Sequence, residues 1–200
     1  HVSEVYVVPN LACRGFVSTI KLPEALGLTG DVTERITPNG HQRVHLTGPV
    51  GTDPSMAKVF AVRILAAMDS LNVPPLDDTA IVVIGHGSKR GRESFEHTTS
   101  IAHELTRFCI TQPVFTAFLE EAPFIKNWRT QTTAKNVIFA PYLISDGFHG
   151  SDEVPRDIGF NTKSEIFIQN LAQVQPNEMN QDGQRLIYLP PLGDAPEMAE

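Results

Sequence analysis

Residues 5–28 of this chain align without gaps on residues 137–160, and the glycines and prolines coincide. Seven of the 24 positions are identical: Val5, Pro9, Leu11, Gly15, Phe16, Pro23 and Gly27 recur as Val137, Pro141, Leu143, Gly147, Phe148, Pro155 and Gly159. Residues 43–57 align in turn on 185–199, with Arg43, Pro49, Gly51, Pro54, Met56 and Ala57 recurring as Arg185, Pro191, Gly193, Pro196, Met198 and Ala199. Glycine and proline fix backbone turns, so matching them implies two copies of one α/β unit. The copies are unequal, because the second carries residues 77–135 ahead of the repeated part. The expected division is a partial, degenerate first unit over 1–72, a linker over 73–79 and a fuller second unit over 80–200.

Within the second copy, Ala80-Ile81-Val82-Val83-Ile84 has no polar residue, as suits a strand buried on both faces of a parallel sheet. Runs 114–119, 136–141 and 186–189 are further strands, alternating with helices expected over 92–109, 122–134 and 154–158. In the first copy, 5–9 reads as a buried strand, 22–27 as a short helix, 29–42 as loop and 43–47 as a second strand. Asp53 as N-cap and Pro54 at the first helical position open a long helix. Alternating strands and helices define a parallel α/β sheet with connections on both faces.

Sixteen basic and 23 acidic residues leave a net charge of −7, which disfavours nucleic acid as a partner. No apolar run is long enough to span a membrane. Cys13 and Cys109 match no metal or CxxC spacing, and no signal-peptide pattern opens the chain, so free thiols in the cytoplasm are expected.

Chemistry concentrates at two strand ends. Gly85-His86-Gly87-Ser88 follows the most apolar strand, at the carboxyl edge where open α/β sheets bind ligands. Lys89, Arg90 and Arg92 come next, at the expected start of a helix, and provide for an anion. Ser145-Asp146-Gly147-Phe148-His149-Gly150 follows the strand ending at Pro141. His149 replaces Val17 of the first copy, so the repeated backbone does not require a histidine there. Two neutral imidazoles suit a borderline divalent metal, or serve as proton acceptors. Glu120 and Glu121 end a third strand, and either is a candidate base or a carboxylate that orients an imidazole. Ser88 as a nucleophile beside His86 is a separate reading, without the GxSxG arrangement. Trp128 and the phenylalanines read as core.

These segments resemble the CbiX-type, class II chelatases, which insert a metal into sirohydrochlorin. The likeness rests on Ile81–Ser88 with its GHGS loop, Ala117-Phe118-Leu119-Glu120 with Pro123, the segment from Pro141 through His149 to Pro155, and Leu189-Pro190-Pro191-Leu192-Gly193-Asp194. It covers 80–200, with 5–60 as a degenerate copy. The resemblance implies a chelatase-like fold of two units with a cleft between them, and a lyase-class enzyme of cobalamin or sirohaem biosynthesis. His86 and His149 would bind the incoming metal and help remove the pyrrole protons, with Glu120 beside them. Gly87, Ser88, Lys89, Arg90, Arg92 and Gly147 would hold the carboxylate-rich macrocycle. The metal would be Co²⁺ or Fe²⁺, or Ni²⁺, as substrate, without a nucleotide. A second chain in a homodimer, or upstream residues, would complete the cleft. A tetrapyrrole- or metal-binding protein without turnover is the other reading in keeping with that shape.

Overall fold

Glu4–Val7 (β1), Val32–Thr37 (β2) and Gly40–Leu46 (β3) form a three-stranded sheet in the order β1-β3-β2 in the computed structural model. The structure describes residues 2–74, 78–108, 110, 112–145, 147–194 and 198. Cys109, Asp146 and the linker residues 75–77, like Pro196 and Ala199 of the repeat, lie outside the described residues.

In this first compact unit, His1–Pro54, β1 runs parallel to β3 with Val5 opposite Val44, and β2 runs antiparallel to β3. The stretch expected as loop over 29–42 therefore carries a strand and the start of another. The Asn39-Gly40 pair that closes this hairpin is a hairpin signal in its own right. The strand expected to be buried over 5–9 is open: Tyr6 is 66% exposed. Between β1 and β2 the chain makes a π-helical turn, Val17–Lys21, and then α1 (Leu22–Leu26).

The second compact unit is Ser55–Glu200. It opens with α2 (Met56–Ser70), which follows Ser55; Asp53 is extended (ψ 135°) and does not enter the helix. The helix expected to belong with the first unit thus lies in the second compact unit, because Phe60, Ala61 and Ile64 are buried along its length and it packs on α3 (Glu93–Glu104). β4 (Thr79–Gly85) precedes α3 and is buried at every position. After α3 come a 3₁₀ turn, Leu105–Phe108, and β5 (Val114–Phe118). The expected single helix over 92–109 is thus shorter. The expected helix over 122–134 is a 3₁₀ turn, Ile125–Thr130, that follows Pro123. β6 (Asn136–Pro141), a π-helical turn at His149–Glu153 and α4 (Val154–Ile158) complete the repeated segment.

Two elements went unforeseen. α5 (Glu165–Ala172) starts at Ser164, whose hydroxyl accepts from the Phe167 N–H as an N-cap. β7 (Asn177–Gln181) turns back through Asp182-Gly183, both at positive φ, into β8 (Gln184–Tyr188). The sheet order is β5-β4-β6-β8-β7, parallel except for the edge strand β7. One face buries Val82, Ile84, Trp128, Val137, Phe139 and Tyr188. Ile81, Val83, Ile138 and Ile187 alternate with them and are equally inaccessible. Burying each such aliphatic side chain contributes about 1.5–3 kcal/mol, which explains why residues 80–84 of β4 are all apolar.

The internal repeat is a repeat of structure. The turn Val17–Lys21 and α1 correspond residue by residue to His149–Glu153 and α4. Val137 stands opposite Leu186 as Val5 stands opposite Val44. Gly51 donates to the Leu11 carbonyl (3.0 Å) and Gly193 to the Leu143 carbonyl (3.1 Å). A Cβ at Gly51 would lie 2.2 Å from the Ala12 oxygen and one at Gly193 1.8 Å from the Ile144 oxygen, so backbone packing excludes any side chain at both. The second copy adds α5, which has no counterpart between α1 and β2.

Candidate functional site

His86 and His149 meet at the carboxyl ends of β4 and β6, with ring centroids 4.9 Å apart and planes nearly perpendicular (88°). β4 and β6 are hydrogen-bonded neighbours running in parallel, so their ends deliver both residues to one edge of the sheet. His86 is exposed; the His149 side chain is 46% exposed.

The loop that carries His86 is held from three directions. The His86 carbonyl accepts from Leu119 N (3.2 Å) and Glu120 N (3.0 Å), which ties it to the end of β5. Gly87 N donates to the buried Ser94 Oγ of α3 at 3.0 Å. Ser88 N donates to Glu121 Oε1 at 3.0 Å. Gly87 itself sits at φ +77°, which disfavours any residue with a Cβ.

The second histidine opens the π-helical turn. Backbone N–H groups reach five residues back in such a turn, so Pro155, which has none, leaves the Gly150 carbonyl without that donor. Tyr188, buried in β8, fills the gap: its hydroxyl donates to Gly150 O at 2.7 Å. Burial, with a smaller contribution from Asp194, raises the Tyr188 phenol well above its ordinary value of 10.0 and keeps it a donor.

Both imidazoles are oriented through Nδ1. His86 Nδ1 lies 2.9 Å from the Gly87 carbonyl oxygen, and His149 Nδ1 lies 2.5 Å from Glu153 Oε2. A carbonyl and a carboxylate only accept, so Nδ1 carries the hydrogen in each neutral ring and Nε2 keeps its lone pair. The site therefore offers two imidazole nitrogens able to bind a cation or take a proton. Among the described residues no third His, Cys, Asp or Glu joins them in a group fit to hold a metal ion. Resident zinc sites use at least three protein ligands; a pair leaves most of the coordination shell open to a second ligand.

Glu120 is placed beside the pair but bonded elsewhere. Its carboxylate meets Lys89 Nζ at 2.7 Å. The Lys89 hydrogen bond and charge hold it below the ordinary carboxylate value, with smaller lowering by His86 and His149. The carboxylate that orients an imidazole is Glu153, four residues beyond His149 on the same turn, rather than Glu120 or Glu121 at the end of β5. Arg92 lies over the Phe95 ring, 4.3 Å from its centroid, and α3 opens with acidic Glu93 and Glu96. Lys89, Arg90 and Arg92 are all exposed. Gly147 closes the turn ahead of His149, its carbonyl accepting from Gly150 N and Ser151 N. Ser88 Oγ accepts from Arg90 N at 3.0 Å, and neither site imidazole is bonded to it, so the nucleophile reading lacks its base.

Phe148 departs from the expectation that the phenylalanines are core. It is 61% exposed and its ring centroid is 6.0 Å from that of His149. Its position in the sequence, beside a glycine and the histidine after a strand end, was the available signal. His41 and His45 pair with Glu34 and Glu4 on the first unit's sheet, and His97 lies against Tyr142.

The sequence model of the CbiX family matches residues 1–67 and 80–200. A curated relative from Halobacterium salinarum, "Probable sirohydrochlorin cobaltochelatase", is 26% identical over 167 residues, covering 77% of this chain and 56% of its own length. This chain thus spans little more than half of that relative. Among solved structures, CbiX from denitrifying bacteria, described as the terminal enzyme of sirohaem biosynthesis, superposes with a TM-score of 0.70 at 23% identity, covering 98% of this chain and 72% of the other. SirB from Bacillus subtilis with Fe³⁺ superposes with a TM-score of 0.65 at 20% identity, covering 98% and 68%. A multi-domain Deinococcus radiodurans protein with structural similarity to chelatases gives 0.63 at 24% identity, covering 98% and 39%. These three likenesses establish the fold.

Proposed function

The chain belongs to the CbiX family, and from that premise we propose that it inserts a divalent metal, Co²⁺ or Fe²⁺, into sirohydrochlorin or a similar tetrapyrrole. The observation that carries the proposal is the His86–His149 pair, 4.9 Å apart, with both Nδ1 atoms occupied by acceptors. The paired imidazoles bind the incoming metal through Nε2, and their two-donor site gives it up to four pyrrole nitrogens, a denser donor set. Two pyrrole N–H protons leave as the metal enters, so charge balances without a nucleotide. The His149–Glu153 pair is arranged to receive one of them, because a proton taken at Nε2 is matched by the carboxylate at Nδ1. Lys89, Arg90 and Arg92 face the macrocycle's carboxylates, and Gly87, Ser88 and Gly147 shape the loops that receive it. Glu120 keeps the cation loop in place through Lys89.

The test is anaerobic incubation with sirohydrochlorin and Co²⁺ or Fe²⁺, following the macrocycle's visible spectrum. Insertion faster than without protein, lost in both His86→Ala and His149→Ala, is the expected result. Macrocycle or metal binding without acceleration would instead identify a carrier of the same shape.

A further inference from the structure

The first unit contains a cavity of about 450 Å³ lined by Arg14, Ser18, Thr19, Leu28, Asp31 and Leu46 among others. The repeat shows why it is open. Leu28 aligns on Phe160, Leu46 on Tyr188 and Ser18 on Gly150. In the second copy Phe160, Tyr188 and Phe167 of α5 pack together there, with ring centroids 5.9 to 6.2 Å apart, inside the main core. The first copy has leucines in place of two of these rings and no counterpart of α5, so the same space is vacated.

The polar groups left around that space point to a ligand. Pro23, aligned on Pro155, offers no N–H to the Ser18 carbonyl, and Leu46 has no hydroxyl to replace it, whereas Tyr188 serves Gly150 O. An acceptor that is capped in the second copy thus loses its donor in the first. Arg14 makes no hydrogen bond or ion pair with any described residue. Its Nη2 lies 3.4 Å from where a Gly48 Cβ would stand, at a glycine whose φ does not require glycine, so the absent side chain leaves room for the guanidinium. The second copy has Pro190 there.

We propose that this cavity is a binding site for a small hydroxycarboxylate, its carboxylate on Arg14 and its hydroxyl donating to the Ser18 carbonyl. The volume falls in the range of small-molecule sites, and an Arg–carboxylate pair supplies the charge-assisted part of recognition. The proposal does not depend on chelatase activity.

Citrate, glycolate, inorganic phosphate and glycerol are titrated into the full chain by calorimetry, with backbone amide shifts followed in parallel. Saturable binding of citrate or glycolate is expected, with shifts at residues 14–19 and 28–31. Phosphate should bind more weakly and glycerol not at all. Arg14→Met should lose about tenfold or more in affinity, as expected for a charge-assisted bond. Leu28→Phe with Leu46→Tyr should fill the space as the second copy does and abolish binding. No saturable hydroxycarboxylate binding, or binding unchanged in Arg14→Met, would overturn the proposal; so would phosphate binding as well as citrate, which would assign the site to anions in general. Arg14 is exposed, so its variant folds even if the double replacement does not.

Discussion

Replacing Tyr188 by Phe removes one oxygen and leaves the packing of β8 intact. The hydroxyl lies 2.7 Å from the Gly150 carbonyl, inside a residue with no solvent exposure. Pro155 cannot substitute as donor, and water reaches neither partner without a rearrangement of the core. The cost is therefore that of a buried carbonyl left unpaired, about 1–3 kcal/mol. Urea denaturation should show a lower midpoint at an unchanged slope. The pH dependence gives a second check. The Tyr188 phenol is raised in the folded protein above its ordinary 10.0. A raised value means the folded state holds its proton more tightly, so this contribution is complete below pH 10 and is lost as pH rises beyond it. Wild type should lose stability above pH 10 more steeply than Tyr188→Phe. Equal midpoints in urea, together with parallel alkaline profiles, would refute the reasoning that this hydroxyl replaces the N–H that Pro155 lacks.

Glu153→Ala frees the His149 ring; because the pair is partly exposed, stability should fall by no more than about 1 kcal/mol, while metal insertion drops about 10–100-fold. Glu153→Gln, whose side-chain oxygen still accepts from Nδ1, should recover part of that rate, and equal losses in both variants would argue against an orienting role. Lys89→Met removes the largest cause of the lowered Glu120 value, so NMR titration should show Glu120 moving up toward 4.5; a titration that stays put would show that another group holds the charge. Phe148→Ala removes an exposed ring beside His149 and should raise KM for the macrocycle about 2- to 10-fold with kcat little changed, since one aromatic contact is worth about 0.5–1.5 kcal/mol; Phe148→Tyr should restore it.

Much of the architecture was legible in local sequence. The matched glycines and prolines of 5–28 and 137–160 announced two copies of one unit, and Gly51 and Gly193 prove to be where backbone leaves no room for a Cβ. The apolar run of β4 declared a strand covered on both faces, and the strand-end positions of His86 and His149 nominated a candidate site, where the two rings do lie together. The two strands that were missed have a common cause. The strands over 32–37 and 177–181 are polar and lie at sheet edges, so they lack the hydrophobic alternation by which strands are read. Their Asn-Gly and Asp-Gly turns were the signal that remained.

Residue type and order determined which groups this chain has and which turns it can make: histidines at two strand ends, prolines that withhold an N–H, glycines where chains must touch. Those are properties of single residues and near neighbours. Only the tertiary structure decided what each group faces. Glu153 rather than Glu120 orients His149 because the π-helical turn brings position 153 back over 149, while Glu120 is drawn to Lys89. Tyr188 caps Gly150, 38 residues away, because β8 lies beside β6. The same space is core in one copy and cavity in the other because three distant positions carry rings in the second alone. Partners so far apart in sequence leave no local pattern, since it is sheet pairing and packing that bring them together.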